Sequence, residues 1–165
     1  KAVIIAVPHT SNWDFFYALG IFHKLGMPVK FTIKDDWTKN PILGRTIRNI
    51  GGIGIDRKLA KSKGRSMVDY MAEMFGTSEQ LYLIVTPEGT RSPNPNWKTG
   101  FYHIARKAEV PIVLGFIDYK KREGGFDCVF HTTGDLDADL VEIKRYYMGV
   151  NPKYPEKFLT GLEND

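Results

Sequence analysis

Apolar and polar positions alternate along the chain in blocks that predict strands and helices in turn. Residues 2–7 form a short apolar run rich in Val and Ile, which predicts a buried strand. Residues 13–22 form a longer apolar segment, which predicts a helix that begins after Ser11 or Asn12 and ends near Gly26. Further strands are predicted at residues 29–33, 51–57, 81–85, 110–119 and 126–132, and further helices at 66–75, 100–108 and 140–147.

Strands that alternate with helices are typical of α/β domains. The pattern therefore predicts a mixed, largely parallel central sheet that is flanked by helices. Residues 35–49 are less regular, because Pro41 interrupts apolar positions that otherwise recur at helix-like intervals. A length of 165 residues with 42% hydrophobic residues fits a single domain over residues 1–165.

The composition limits the class of protein but does not identify its binding partner. A net charge of +4 suits phosphates, anionic lipid surfaces or nucleic acid. Cys128 is the one cysteine, which excludes an intrachain disulfide and fits a reducing compartment. No apolar run approaches the ~18 residues of a membrane span, and no signal peptide is visible. Because the chain opens on Lys1 and enters a strand almost at once, we expect that further residues precede it. The sequence leaves open whether those residues include a membrane anchor.

A run of five cations lies between Arg57 and Arg65. Such a run is most often a solvated face. A more specific interpretation is that the run forms a binding surface for anionic lipid or for an acidic carrier protein. No motif of RNA- or DNA-binding proteins accompanies the run, so we expect no nucleic-acid partner.

The connection between the first predicted strand and the first predicted helix carries the clearest candidate chemistry. Residues 8–14 read PHTSNWD, which places His9 in the loop and Asp14 in the first helical turn. A carboxylate there can hold one nitrogen of the imidazole, so that the other nitrogen takes a proton from a substrate hydroxyl. The alternative is structural, because Ser11 and Asp14 also fit a capping box at a helix N-terminus.

A second polar loop follows the buried strand at residues 81–85. Residues 86–92 read TPEGTRS and supply a carboxylate, a glycine, hydroxyls and a guanidinium. Gly89 lets the backbone approach a ligand closely, and the guanidinium of Arg91 can bind a phosphate through two parallel hydrogen bonds. As a free-standing pattern, the same residues also fit an ordinary solvated turn.

Together these stretches resemble the glycerolipid acyltransferases. His9 and Asp14 match the HX4D signature of that family, and residues 87–92 match its PEGTRS signature. The stretch GGIGIDR at residues 51–57 is similar to the family block in which an arginine after a short strand binds the acceptor phosphate, although Gly54 stands where the family usually has a bulky residue. The matches span about two thirds of the chain.

The resemblance implies an α/β acyltransferase domain and a set of residue functions. His9 would deprotonate an acceptor hydroxyl, and Asp14 would fix its tautomer. Arg57 and Arg91 would hold a phosphate of the acceptor. The acceptor polyol would be positioned by the turn that follows the fourth predicted strand, at Glu88, Gly89 and Thr90.

The resemblance also implies substrates and a location. The donor would be acyl-CoA or an acyl carrier protein, and the acceptor a phosphate-bearing lipid of the lysophosphatidic-acid type. No metal or redox cofactor is implied. We expect a cytoplasmic protein that is peripheral on the inner face of a membrane, and the apolar helix at residues 13–22 is a candidate lining for the acyl chain.

Two alternatives from other classes stay open at the level of sequence. One is a phosphohydrolase that uses His9, Asp14 and Glu88 around a metal ion. The other is a non-catalytic module that binds anionic lipid or nucleic acid through the run of cations.

Overall fold

The computed structural model describes residues 1–55 and 66–163. Its strands are β1 (Ala2–Ala6), β2 (Val29–Lys34), β3 (Gly52–Ile55), β4 (Tyr82–Val85), β5 (Ile112–Asp118) and β6 (Glu123–Phe130). Its helices are α1 (Asn12–Lys24), α2 (Asp35–Thr38), α3 (Gly44–Asn49), α4 (Met67–Thr77), α5 (Gly100–Ala108) and α6 (Leu136–Met148), followed by a short 3-10 turn (Pro155–Lys157). Among these helices, none is long and apolar enough to cross a membrane.

The six strands form one sheet in the order β3-β2-β4-β1-β5-β6. All neighbouring pairs are parallel except β5 and β6, which run antiparallel. This arrangement confirms the predicted mixed, largely parallel sheet with flanking helices. Strand β1 lies between β4 and β5, so the loop that follows β1 emerges near the middle of the carboxyl edge, where α/β folds place their ligands.

The main core lies on the face of the sheet that α4, α5 and α6 cover. Alternate residues of β1, and Val7 directly after it, point into this core, as the two-residue period of an extended strand requires. All three are fully buried: Val3, Ile5 and Val7. The helices contribute large buried rings to the same cluster, including Phe75, Phe101, Tyr102 and Tyr147. The Tyr147 hydroxyl donates to the carbonyls of Ile5 (3.2 Å) and Gly115 (3.1 Å), which ties α6 to the adjacent strands β1 and β5.

The opposite face of the sheet carries a much smaller buried cluster under α1. Among the residues that the structure describes, Ile4, Phe22 and Val29 are buried in it, with partly buried residues around them. Helix α1 ends at Lys24, and Gly26 follows with φ +63°, a conformation that glycine adopts without steric cost. The sheet is therefore densely packed on one face and sparsely packed on the other.

Several predicted boundaries were wrong in ways that have a physical cause. Helix α6 begins at Leu136 instead of residue 140, because Asp135 caps it through the Ala138 amide (3.1 Å) and its first turn is polar. Strand β6 begins at Glu123, since its antiparallel pairing with β5 extends through two glycines that carry no strand signal. The irregular segment at residues 35–49 forms the two short helices α2 and α3 on either side of Pro41.

Candidate active site

The loop after β1 is fixed by a capping box at the start of α1. Ser11 is the N-cap, and its hydroxyl accepts a hydrogen bond from the Trp13 amide at 3.2 Å. Oδ2 of Asp14 accepts the amides of Thr10 at 2.9 Å and Ser11 at 2.8 Å. The predicted cap at Ser11 is confirmed, and Asp14 satisfies amides that helix formation alone leaves unpaired.

The same carboxylate oxygen lies beside the histidine. Nδ1 of His9 is 3.4 Å from Oδ2 of Asp14, and the carboxylate is almost completely buried while the imidazole remains partly exposed. The other oxygen, Oδ1, accepts the Tyr119 hydroxyl at 2.6 Å. Burial alone raises the Asp14 pKa, but hydrogen bonds from His9, Tyr119 and the Ser11 amide outweigh it, so the pKa is lowered overall. Asp14 is therefore an ionised acceptor that faces Nδ1, the arrangement that leaves Nε2 of His9 to act as a base.

Glu88 lies directly behind the histidine. The residue is only 4% exposed, and its Oε2 accepts a hydrogen bond from the backbone amide of His9 at 2.8 Å. Burial raises the Glu88 pKa to about 7; the nearby Asp14 charge adds to the increase, and the His9 amide opposes it. The observed contact of Glu88 is thus with the His9 backbone, and its function toward an acceptor polyol stays a prediction.

The turn after Glu88 brings two cations to the site. Gly89 has φ +66°, and a Cβ at this position would lie 2.6 Å from Nζ of Lys98, so the lysine side chain packs against the bare glycine backbone. Arg91 is exposed at the same end of the site. The Thr90 hydroxyl instead accepts the Ser92 amide at 3.1 Å, within its own turn.

A cavity of about 800 Å³ extends from these polar residues beneath α1. At one end it is lined by His9, Asp14, Arg91 and Lys98. The rest is mainly apolar, with side chains from β1, β2, β4, β5 and β6, so the cavity crosses five of the six strands. Helix α1 forms its cover with Phe15, Phe16, Ala18, Leu19, Ile21 and Phe22. The sparse packing of this face of the sheet is what leaves the space open.

The structure brings most of the predicted site residues to this region. His9, Asp14, Gly89 and Arg91 line the cavity, whereas Glu88 supports it from behind. Arg57 and the rest of the predicted run of cations at residues 57–65 lie outside the described residues.

Sequence reasoning missed two residues of the site, Lys98 and Tyr119. Tyr119 directly follows β5 at the carboxyl edge of the sheet, and that position is a signal that strand prediction could have used. Lys98 carried no comparable signal, because its approach to Gly89 depends on how the loop at residues 89–99 folds back.

Metal binding was one of the alternatives that the sequence left open. In the part of the chain that the structure describes, no group of three or more His, Cys, Asp or Glu side chains is placed to hold a metal ion. Glu88, which this alternative combines with His9 and Asp14, directs Oε2 to the His9 amide.

Comparison with known proteins gives one match. A family model described as Acyltransferase matches residues 1–114, which include the His9–Asp14 pair, the turn at Gly89 and Arg91, and β1 to β4. No curated protein and no solved structure matches the chain significantly. Tyr119, β6, α6 and the C-terminal segment lie beyond the matched residues.

Proposed function

The chain belongs to the glycerolipid acyltransferase family, and from that premise we propose that it moves a fatty acyl group from an acyl thioester to a hydroxyl of a phosphate-bearing lipid acceptor. The donor in this proposal is acyl-CoA or an acyl carrier protein, and the acceptor is of the lysophosphatidic-acid type. The observation that carries the proposal is the His9–Asp14 pair, 3.4 Å apart, at the polar end of a large apolar cavity.

The pair supports a direct transfer without an acyl-enzyme. The acceptor hydroxyl gives its proton to Nε2 of His9 while its oxygen attacks the thioester carbonyl. The new C–O bond replaces the C–S bond, and the leaving thiolate takes the proton from the imidazolium, so the products are an ester and a free thiol. Asp14 holds the proton on Nδ1 and stabilises the imidazolium charge. These steps balance without a metal or a redox cofactor.

The cavity supports an acyl chain as the group that is transferred. Its walls are aliphatic and aromatic side chains of α1 and of five strands, and an acyl chain gains free energy in proportion to the apolar area that it removes from water. Neighbouring strands lie about 4.8 Å apart, so a cavity that crosses from β2 to β6 is about 20 Å wide. That width suits a long, extended chain more than a compact headgroup.

The cations at the polar end support a phosphate on the acceptor. Arg91 and Lys98 line the cavity beside His9, so an acceptor phosphate bound to them would keep a neighbouring hydroxyl near the base. We further propose that Arg57 contributes a second guanidinium to the phosphate, and that Glu88, Gly89 and Thr90 position the polyol, as the family resemblance implies.

We also propose that the protein is peripheral on the inner, cytoplasmic face of a membrane and that α1 faces the lipid. The exposed face of this helix carries Trp13 and Phe16, which are 54% and 61% exposed. The Lys153 ammonium lies 5.3 Å from the centroid of the Trp13 ring. We call Trp13, Phe16 and Lys153 the lipid-facing patch, because interfacial aromatic rings beside a cation suit an anionic bilayer surface. Phe16 also lines the cavity, so the patch adjoins the space proposed for the acyl chain.

The test is thiol release from several acyl thioesters against a panel of lysophospholipids and polyol phosphates. His9→Ala should lower kcat by about 10²- to 10⁴-fold, the usual contribution of a general base, without unfolding the protein. Asp14→Asn keeps an oxygen for the Thr10 and Ser11 amides but removes the charge, so it should preserve the fold and still lower kcat. Normal turnover by a folded His9→Ala protein with a verified donor and acceptor would show that the proposed mechanism is wrong.

A further inference from the structure

The two oxygens of the Asp14 carboxylate have different partners. Oδ2 accepts the amides of Thr10 and Ser11 and lies beside Nδ1 of His9. Oδ1 accepts only the Tyr119 hydroxyl among the described residues, at 2.6 Å. This bond joins residues that are 105 positions apart in the chain, so it links the first loop of the fold to the end of β5.

Tyr119 is held in place by contacts that do not involve Asp14. Its backbone amide donates to the Asn151 carbonyl at 2.9 Å. Asn151 is in turn fixed through its side-chain amide, which donates to buried Asp118 at 2.8 Å. The Tyr119 ring packs edge-on against Tyr17, with ring centroids 5.9 Å apart. The hydroxyl is therefore presented from a rigid position toward the carboxylate.

From this arrangement we propose that Tyr119 is a positioning residue of the acyl-transfer reaction, which fixes the Asp14 carboxylate so that Oδ2 stays opposite Nδ1 of His9. The inference rests on the proposed function, but it concerns a residue outside the part that the family model matches. The torsion that rotates a carboxylate is broad and has no sharp staggered minimum. The Thr10 and Ser11 amides hold Oδ2, and a hydrogen bond to Oδ1 from a fixed donor holds the second oxygen, so the plane of the carboxylate is fixed as well.

The hydroxyl also suits this task chemically. Burial, and next its bond to Asp14, raise the pKa of Tyr119 well above its ordinary value, so the group stays protonated and remains a donor over the whole working range of pH. A hydrogen bond to an ionised acceptor is stronger than one between neutral groups, which makes the restraint effective.

Tyr119→Phe tests the proposal, because phenylalanine keeps the ring that packs against Tyr17 and removes only the hydroxyl. We expect kcat for thiol release to fall by about ten- to a hundredfold, since small misplacements of a catalytic group cost that much. The KM values for donor and acceptor should stay within about twofold, because Tyr119 does not line the cavity.

Tyr17→Phe is the matched control. Its ring belongs to the same aromatic pair, and its hydroxyl makes no hydrogen bond with any described residue, so kcat should stay near that of the wild type. Equal losses in the two variants, or a loss in Tyr119→Phe that appears only in KM, would overturn the proposal in favour of a purely structural function.

A spectroscopic measurement separates this proposal from the proposed function. The imidazole nitrogen shifts of His9, assigned by comparison with His9→Ala, should report a proton on Nδ1 in the wild type and a mixture of tautomers in Tyr119→Phe. Identical shifts in the two proteins would overturn the positioning function even if kcat fell. If instead the wild-type protein released no thiol, the acyl-transfer assignment would fail, and the shifts would still decide whether Tyr119 orients the pair.

Discussion

At the scale of single residues, one carboxylate serves two purposes that the sequence presented as alternatives. Oδ2 of Asp14 caps α1 through the amides of Thr10 and Ser11 and also faces Nδ1 of His9. The pairing of His9 and Asp14 was predictable because both lie in one short loop, where local geometry decides their contact. The contact of Tyr119 with Asp14 and the burial of Glu88 could not be predicted in this way, because these contacts join distant parts of the chain.

Glu88→Gln should make stability less dependent on pH. Burial raises the Glu88 pKa from 4.5 to about 7, so between these values the folded state binds more protons than the unfolded state. The free energy of unfolding of the wild type therefore loses up to about 3 kcal/mol from this group as pH rises through that window. Glutamine keeps an oxygen for the His9 amide and does not titrate, so the variant should gain stability relative to the wild type as pH rises.

The measurement is chemical unfolding of both proteins at about pH 5 and about pH 8, either side of the Glu88 transition. Glu79→Gln removes an exposed carboxylate and serves as the control. The difference in free energy of unfolding between this variant and the wild type should be the same at both pH values. A difference between Glu88→Gln and the wild type that is the same at both pH values would contradict a raised pKa for Glu88.

At the scale of elements, the cavity depends on how far α1 lies from the sheet. The length of its apolar segment identified α1, which was a candidate lining for the acyl chain, and six apolar side chains of this helix line the cavity. A sequence pattern shows which residues of a helix face the sheet. It does not show whether side chains fill the space between the helix and the sheet. Here the large rings of α4, α5 and α6 fill one side of the sheet, whereas Gly115 on β5 has no side chain to fill the other.

Ala18→Leu should shorten the acyl chains that the protein accepts. Ala18 lies one helical turn after Asp14 on the face of α1 that covers the cavity, and it packs beside the small buried cluster of Ile4, Phe22 and Val29. The isobutyl group that replaces its methyl group would occupy space proposed for the acyl chain. We expect kcat/KM for long-chain thioesters to fall by about tenfold or more, which corresponds to the loss of one or two buried methylene groups, with little change for short-chain thioesters.

Gly76→Leu is the matched control for this substitution. Gly76 has no atom within 4 Å of its Cβ position, so it can carry the same side chain, but it lies on α4, on the opposite face of the sheet. Its chain-length profile should match that of the wild type. Equal loss of activity with short and long thioesters in Ala18→Leu would show that the cavity does not hold the acyl chain.

At the scale of the whole molecule, the two faces of the sheet divide stability from function. The face covered by α4, α5 and α6 holds the main core, and the face under α1 holds the cavity and the His9–Asp14 pair. The sequence predicted a sheet with flanking helices, but it did not predict which helices cover which face. The alternation of strands and helices does not contain that information. The exposed apolar side chains of the described residues include two groups, the rings of Trp13 and Phe16 on α1 and the group Trp37, Ile42, Leu43 and Ile50 around α2 and α3.

Trp13→Ala should weaken binding to vesicles of mixed zwitterionic and anionic lipid. Inserting an indole ring that is 54% exposed removes apolar area from water, so its loss should reduce the partition coefficient by about tenfold. Lys153→Ala should reduce it by about fivefold, because one cation near an anionic surface contributes about 1 kcal/mol. The second effect should disappear at high salt, whereas the effect of Trp13 should persist.

Trp37→Ala decides between the two exposed groups. Trp37 is 49% exposed, close to the exposure of Trp13, but it lies on α2 and outside the residues that line the cavity. If α1 faces the lipid, this variant should co-sediment with vesicles as the wild type does. If Trp37→Ala instead lost binding while Trp13→Ala kept it, the membrane would lie against α2 and α3. The acyl chain would then have to reach the cavity by a route other than the exposed face of α1.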